Sequence, residues 1–203
     1  MKPTEILKAE HRVIERVLAG LEALAAKATE TGQLEADAAA QAVDFLRNFA
    51  DRCHHGKEEA KLFPALERKG FSPEAGPTAV MRSEHEQGRA YTRALAESLD
   101  AAGRGDAQAL KRFTEAAQGY VDLLRQHIQK EDHCLFAMAD SALSADEQKA
   151  LLEAFEQVEH EDMGAGTHER SLTIADELCR RYGLAVPAAG EPALSCCHHH
   201  KTT

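Results

Sequence analysis

The chain has 203 residues, of which 43% are hydrophobic, 29% charged and 5% aromatic, which is typical of a single soluble globular domain. Its 34 acidic residues outnumber 24 basic ones, and the net charge of −10 argues against binding to nucleic acid or to an anionic membrane. No apolar run reaches membrane-spanning length, and no signal-peptide segment follows Met1. The five scattered cysteines form no disulfide framework, so we expect a cytoplasmic protein.

Five helices are predicted from the positions of glycine, proline and capping residues. Good helix formers are abundant, and the alternating pattern of strands is missing, so the predicted fold class is all-α. The predicted helices cover about residues 4–31, 37–67, 77–102, 106–139 and 144–182, with a weak point at "GAG" in the fifth. We expect an antiparallel up-down four-helix bundle over residues 1–140, an additional C-terminal helix packed on it over 141–183, and a flexible Cys/His tail over 184–203.

The first four predicted helices each carry a core-facing stripe at spacings of four and three residues. In each stripe, side chains that can bind metal occupy positions where apolar ones are expected. They recur in register, because the offset from His54 to His127 equals the offset from Glu58 to Glu131. The offset from His11 to His85 is longer by a single position. Two similar helical hairpins, related by an approximate two-fold axis, would bring these six side chains to one place.

The spacing within each His-x-x-x-Glu pair suits metal binding. Residues four apart lie on one helix face, about 6 Å apart along the axis, so an imidazole and a carboxylate can reach the same ion. Histidine nitrogen suits iron, zinc and copper, and a carboxylate can bridge two ions. Burying two carboxylates without partners is unfavourable, and two cations would remove that penalty. A lone core histidine is usually not a ligand, and it is the repetition of the whole set that favours a metal site.

His55 and Glu59 lie one step around the second predicted helix from His54 and Glu58. We expect these two residues to be solvated or to hydrogen-bond to a ligand, and a role as an extra ligand is the alternative. A shift of the helical register by one residue would exchange the two pairs.

The motifs "EHRVIERVL", "HHGKEEAKLFPAL", "SEHEQGRA" and "HIQKEDHCLF" resemble those of the hemerythrin-like HHE cation-binding domain, over about residues 4–140. The resemblance implies a four-helix bundle that holds a non-haem di-iron centre, with two iron ions bridged by an oxo or hydroxo group. It implies that the histidine ligands are His11, His54, His85 and His127, and that the bridging carboxylates are Glu58 and Glu131.

Two positions depart from the family pattern. Met81 stands where respiratory hemerythrins have a second histidine on the third helix, so we expect a nearly symmetric site with two histidines per metal and an open coordination position. Asp132 follows Glu131 and is an alternative carboxylate ligand. In the fifth predicted helix, His160 or His168 is an alternative extra ligand, although a surface role or a hydrogen bond is the favoured interpretation.

The sequence therefore predicts a di-iron protein that binds or senses O2, NO or peroxide, without nucleic acid or membrane partners. The alternatives are a di-iron enzyme, which breaks down peroxide or donates iron for iron–sulfur cluster repair, and an iron store. We expect a monomer or a weak homo-oligomer, and the sequence does not identify a redox partner. The tail with Cys196, Cys197 and His198 can bind a soft metal, but a tail without a preformed site is favoured.

Overall fold

The structure, a computed structural model, describes residues 1–159 and 167–185, and every regular element in these two ranges is helical. The all-α prediction is thereby confirmed. The first elements are α1 (Pro3–Thr31), α2 (Ala36–Phe45), π1 (Leu46–His55), π2 (Glu58–Leu62) and α3 (Phe63–Glu67). They are followed by α4 (Pro77–Gly103), α5 (Ala107–Lys130), π3 (Glu131–Leu135), α6 (Phe136–Ala142), α7 (Ala145–Gln157) and α8 (Thr167–Arg181).

Four long rods form the predicted bundle: α1, the continuous helical segment 36–67, α4, and the continuous helical segment 107–142. The second and fourth rods change from α-helical to π-helical turns where the predicted ligand motifs lie. One π-helical stretch begins at Glu58 and another begins at Glu131, so the repeat in the sequence is also a repeat of backbone conformation. In a π-helix the backbone hydrogen bonds join residues five apart, and such turns are frequent at functional sites.

The apolar core is divided into two clusters, and predicted ligands lie at or beside the boundary between them in each of the four rods. In α1 the smaller cluster ends at Leu7 and the larger one begins at Val13, with His11 between them. In the second rod the larger cluster ends at Ala50 and the smaller one resumes at Leu62. The same division occurs in the other two rods. A polar layer therefore crosses the bundle between two apolar regions.

The C-terminal part of the described structure consists of α7 and α8, which correspond to the predicted fifth helix. Residues 160–166, with the predicted weak point at "GAG", lie outside the described residues, as does the predicted Cys/His tail from residue 186 onward. α8 packs on α1 at Gly20, where an added Cβ would lie 2.9 Å from the Cβ of Leu178. A glycine at this position therefore permits the close approach of the two helices.

Beyond the end of α8, a polar contact joins the C-terminal part to the start of the second rod. Glu35 accepts hydrogen bonds from the Lys27 ammonium and from the Tyr182 hydroxyl, both at 2.6 Å. These two contacts lower the pKa of Glu35 to about 2. None of the helices in the described ranges has both the length and the apolar stretch that a membrane crossing requires.

Candidate metal centre

All six predicted ligands lie inside the bundle, in the polar layer between the two apolar clusters, and each is at most 1% exposed. α1 supplies His11, the second rod supplies His54 and Glu58, α4 supplies His85, and the fourth rod supplies His127 and Glu131. The structure thus brings together residues from all four rods, as expected for two hairpins related by an approximate two-fold axis.

These side chains form two groups that are suited to holding a metal ion, and one residue is common to both. The two-histidine group consists of His11, His54, Glu58 and Glu131. The three-histidine group consists of His55, Glu58, His85 and His127. Within each group, one ligand atom from each residue lies within 4.8 Å of all the others. Because Glu58 belongs to both groups, the two candidate positions are adjacent.

The two buried carboxylates face histidines of both groups. Glu58 places Oε1 at 3.7 Å from Nε2 of His54 and Oε2 at 3.5 Å from Nε2 of His85. Glu131 places Oε2 at 3.2 Å from Nε2 of His11 and at 3.2 Å from Nε2 of His127. Since a carboxylate can bind a different ion with each oxygen, Glu58 is suited to bridging two cations, whereas Glu131 faces both groups through one oxygen, Oε2.

Each of the five histidines also has a carboxylate at its other ring nitrogen, Nδ1. The pairs are His11–Asp132 at 2.8 Å, His54–Glu10 at 2.8 Å, His85–Glu59 at 2.6 Å, His127–Glu84 at 2.9 Å and His55–Asp51 at 3.5 Å. In the four shorter pairs Nδ1–H donates a hydrogen bond to the carboxylate. This bond fixes the tautomer, so that the Nε2 lone pair faces the centre and is free to bind a metal ion.

The buried polar atoms at the centre have no hydrogen-bond partner within the described residues. They include Nε2 of His11 and His54, both ring nitrogens of His55, and all four carboxylate oxygens of Glu58 and Glu131. Nε2 of His85 lies 3.1 Å from Nε2 of His127, although both rings already donate from Nδ1. Buried polar atoms are normally paired, so the unpaired nitrogens and oxygens of the centre fit metal cations placed among them.

The electrostatics of the centre point the same way. Burial, and then the negative charge of Glu131, raises the pKa of Glu58 well above its usual value. Burial, and then the neighbouring His11, lowers the pKa of His54 to about 3. Burial opposes ionisation of Glu131, but His127 and His11 hold the pKa of this carboxyl well below its usual value. Against the effect of burial, the neighbouring carboxylates raise the pKa of His127 to about 9 and also raise that of His11. The carboxylates of the centre therefore attract positive charge, which protons supply without a metal and which a cation bound to the deprotonated ligands would replace.

His55 is 3% exposed, so burial excludes the solvated alternative for this residue and leaves the other predicted roles open. Its ring stacks on that of His85, with centroids 3.8 Å apart. The sequence prediction assumed α-helical turns, whereas His54 and His55 end a π-helical stretch. A π-helical turn contains more residues, so neighbours are separated by a smaller angle and both can face the centre. The expected symmetry of two histidines per metal is therefore replaced by groups of two and three.

The other candidate residues lie outside the two ligand groups. Asp132 accepts from His11 and from Arg12, and Glu59 accepts from His85 and from Arg89. Met81 is buried in the smaller apolar cluster. His160 and the side chain of His168 lie outside the described residues, so their predicted roles stay predictions.

Two of the carboxylate partners of the histidines were missed, although the same repeat marks them. Glu10 and Glu84, which accept from His54 and His127, directly precede His11 and His85 and so share their offset. Lys57 and Lys130, which donate to these two glutamates, directly precede Glu58 and Glu131. The repeat marks the two glutamates and the two lysines as soon as all charged residues are included, and not only those that bind metal.

Residues 2–139 match the family model of the hemerythrin HHE cation-binding domain. The chain belongs to this family. Its HHE domain covers the whole four-helix bundle, and the two buried groups of histidine and glutamate are residues that can hold metal ions in a cation-binding domain.

Among the relatives of this HHE domain protein are uncharacterised proteins from Mycobacterium bovis and from two strains of Mycobacterium tuberculosis. Each is 28% identical to the chain over 173 residues, which is 85% of this chain and 67% of the relative. No solved structure matches the chain.

Proposed function

We propose that the HHE domain holds two iron ions and that the protein binds or senses O2, NO or peroxide. The observation that carries this proposal is the position of Glu58, whose two oxygens face histidines of different groups while neither oxygen has a hydrogen-bond partner within the described residues. One ion would leave some of the buried histidine nitrogens and carboxylate oxygens without a partner. A pair of ions, bridged by Glu58 and Glu131, would provide partners for all of them.

The ligand chemistry favours iron over zinc. The two groups offer imidazole nitrogen and carboxylate oxygen and contain no thiolate. This mixture suits iron, whereas structural zinc sites are closed tetrahedral sites, commonly with cysteine. We assign His11, His54, Glu58 and Glu131 to one ion, and His55, His85, His127 and Glu58 to the other. Glu131 would also reach the second ion, because its Oε2 lies as close to His127 as to His11. When bound, iron supplies Lewis acidity and one-electron redox chemistry to a small molecule.

The protein residues around the centre orient the ligands and exclude water. Phe136 stacks on His11 with centroids 5.5 Å apart, and Phe63 stacks on His85 at 5.8 Å. These two phenylalanines occupy equivalent positions of the repeat, each directly after a leucine, and belong to the smaller apolar cluster. Because no proposed ligand is more than 3% exposed, only a small molecule fits the access that this packing leaves. We therefore favour a diatomic or peroxide ligand over an organic substrate.

Metal analysis with an optical spectrum, in air and after adding dithionite, tests this proposal. We expect about two irons per chain and an absorption in air that dithionite abolishes. One zinc per chain without iron would overturn the di-iron assignment. Rapid loss of added peroxide over many turnovers would instead favour an enzyme that breaks down peroxide, and iron in large excess over two per chain would favour a store.

Compartment and assembly belong to the same proposal. Cys53, Cys134 and Cys179 are free thiols, which supports a reducing cytoplasm as the location. We propose a monomer or a weak homo-oligomer that exchanges electrons with a separate redox partner. Sedimentation of the iron-loaded protein would test the assembly.

A further inference from the structure

Lys57 is an unusual residue of the polar layer, because it is a lysine with 0% exposure beside the metal centre. Lysine is almost never fully buried unless its charge is paired. Its ammonium donates to Glu10, which is itself 0% exposed, and to Glu159 at 2.5 Å. Glu10 in turn accepts from Nδ1 of His54 at 2.8 Å. A continuous chain of contacts therefore runs from Lys57 to a proposed metal ligand.

The position of the Lys57 ammonium is itself a place suited to a cation. Glu10, Cys53 and Glu159 form a third group whose ligand atoms lie within 4.8 Å of one another. Lys57 donates to both carboxylates of this group, so the ammonium supplies the positive charge there. The protein thus provides its own cation next to the two positions that we assign to iron.

The second hairpin contains the equivalent chain, Lys130–Glu84–His127. The two chains differ in solvent exposure: the side chain of Lys130 is 42% exposed, whereas that of Lys57 is 0% exposed. Water screens the exposed pair and can replace the ammonium as a partner of Glu84. No such replacement is open to Glu10, because neither it nor its cation reaches solvent.

We propose that Lys57 is a positioning residue of the metal centre, which acts through Glu10 to hold His54 in the orientation and tautomer that bind a metal in the two-histidine group. Partners that fix a ligating histidine typically contribute tenfold to hundredfold, roughly, to metal affinity. Lys57 contributes to this effect indirectly, because it holds the Glu10 carboxylate against His54. The inference rests on the proposed function, since it assumes that the two-histidine group is a metal position.

A mutant cycle on the full chain tests this role, with Co(II) as the probe. The variants are Lys57→Met, Glu10→Gln and the double variant, and Lys130→Met is the matched control. Gln at position 10 keeps an oxygen that can accept from His54 but removes the charge that Lys57 holds. Two readouts are used: Co(II) affinity by competition with a chelator, and the visible spectrum of bound Co(II), which reports the coordination geometry.

The expected result is that Lys57→Met and Glu10→Gln each weaken one of the two Co(II) positions by about tenfold or more and alter its spectrum. Lys57→Met should add little when Glu10→Gln is already present, because both act through one carboxylate. Lys130→Met should have a smaller effect. Wild-type affinity and spectrum in Lys57→Met would overturn the inference, and so would independent, multiplying losses in the double variant.

The double variant also covers the case in which Lys57→Met alone fails to fold. It removes the unpaired buried charge, and circular dichroism and thermal melting of the metal-free proteins identify which variants fold. Glu10→Gln and the double variant should then bind Co(II) alike, and a clearly weaker double variant would contradict the proposed role. If the wild-type protein itself holds no metal pair, the proposed function fails. If the wild-type protein holds two metal ions but the losses of Co(II) affinity in the two single variants multiply in the double variant, only the role of Lys57 fails.

Discussion

Replacing Glu58 with leucine should abolish metal binding and yet stabilise the metal-free protein. Glu58 is 0% exposed, neither oxygen has a hydrogen-bond partner within the described residues, and burial with the nearby Glu131 charge raises its pKa. A buried polar group without a partner costs about 1–3 kcal/mol. Leucine has a similar volume and no polar atom, so Glu58→Leu should recover most of that penalty. For a chain of this size, each kcal/mol corresponds to roughly 2–4 °C in Tm.

Urea unfolding and thermal melting of chelator-treated protein measure this effect, and Glu58→Gln is the matched control. The Gln variant also removes the carboxylate but keeps buried polar atoms without partners, so it should recover less stability than leucine. Added iron should raise the Tm of the wild-type protein and leave Glu58→Leu unchanged. A metal-free Glu58→Leu protein less stable than the wild type would refute the reasoning, because it would show that Glu58 contributes packing or hydrogen bonds to the empty fold.

Three further predictions follow from the same structure. His55→Ala and Glu131→Ala should each abolish the optical spectrum of the paired metal, and an unchanged spectrum in His55→Ala would remove that residue from the ligand set. Gly20→Ala should lower the free energy of unfolding by about 1–3 kcal/mol, because the added Cβ would collide with Leu178 of α8. Gly56→Ala is the control and should not lower it, because its Cβ would meet nothing closer than 3.9 Å. Equal effects of the two substitutions in denaturant titrations would contradict the packing argument. The pKa of Glu35 is lowered from 4.5 to about 2, so its contribution to stability is present above about pH 4.5 and is lost as the pH falls toward 2. The stability difference between wild type and Glu35→Gln should therefore shrink across that pH range. A difference that grows on acidification would contradict the direction of the pKa shift.

The sequence was sufficient to predict the bundle and the grouping of six repeated histidine and glutamate side chains inside it, for a physical reason. A histidine or glutamate on a core-facing stripe conflicts with the hydrophobic pattern around it, and six such conflicts at matching offsets require a common cause. The three loops between the four bundle rods were similarly predictable, because glycine or proline interrupts the helical pattern in each of them.

The sequence did not place His55 among the six main ligand candidates, because the prediction applied one helical period to the whole rod. The residues of the π-helical stretch 46–55 include no proline and no glycine that would mark a change of period. The wider π-helical turn is a feature of the backbone at the polar layer. A sequence pattern based on 3.6 residues per turn does not detect it. The second hairpin has Ile128 where the first has His55, so the repeat gave no help at this position.

The two glutamates that accept from His54 and His127 were missed for a different reason. Glu10 and Glu84 stand next to histidines of the same helix, but each accepts from a histidine of another rod. A single sequence without a structure gives no distance between rods, so these contacts have no local signal. Only the repeat, applied to charged residues in general, indicates that they serve a shared purpose.

The polar layer would also give the proposed metal ions a mechanical role. His11 and Glu131 would share one ion although they lie in the first and the fourth rod, so a bound ion closes a ring that contains most of the bundle. Such a ring restricts the unfolded chain as a long-range cross-link does, because closing a long loop removes much of its conformational entropy. Unlike a disulfide, this cross-link can be withdrawn by a chelator within the native fold. Loss of metal should therefore release the bundle at its centre first, and amide hydrogens near residues 54–58 and 127–131 should exchange faster than those at the two apolar ends.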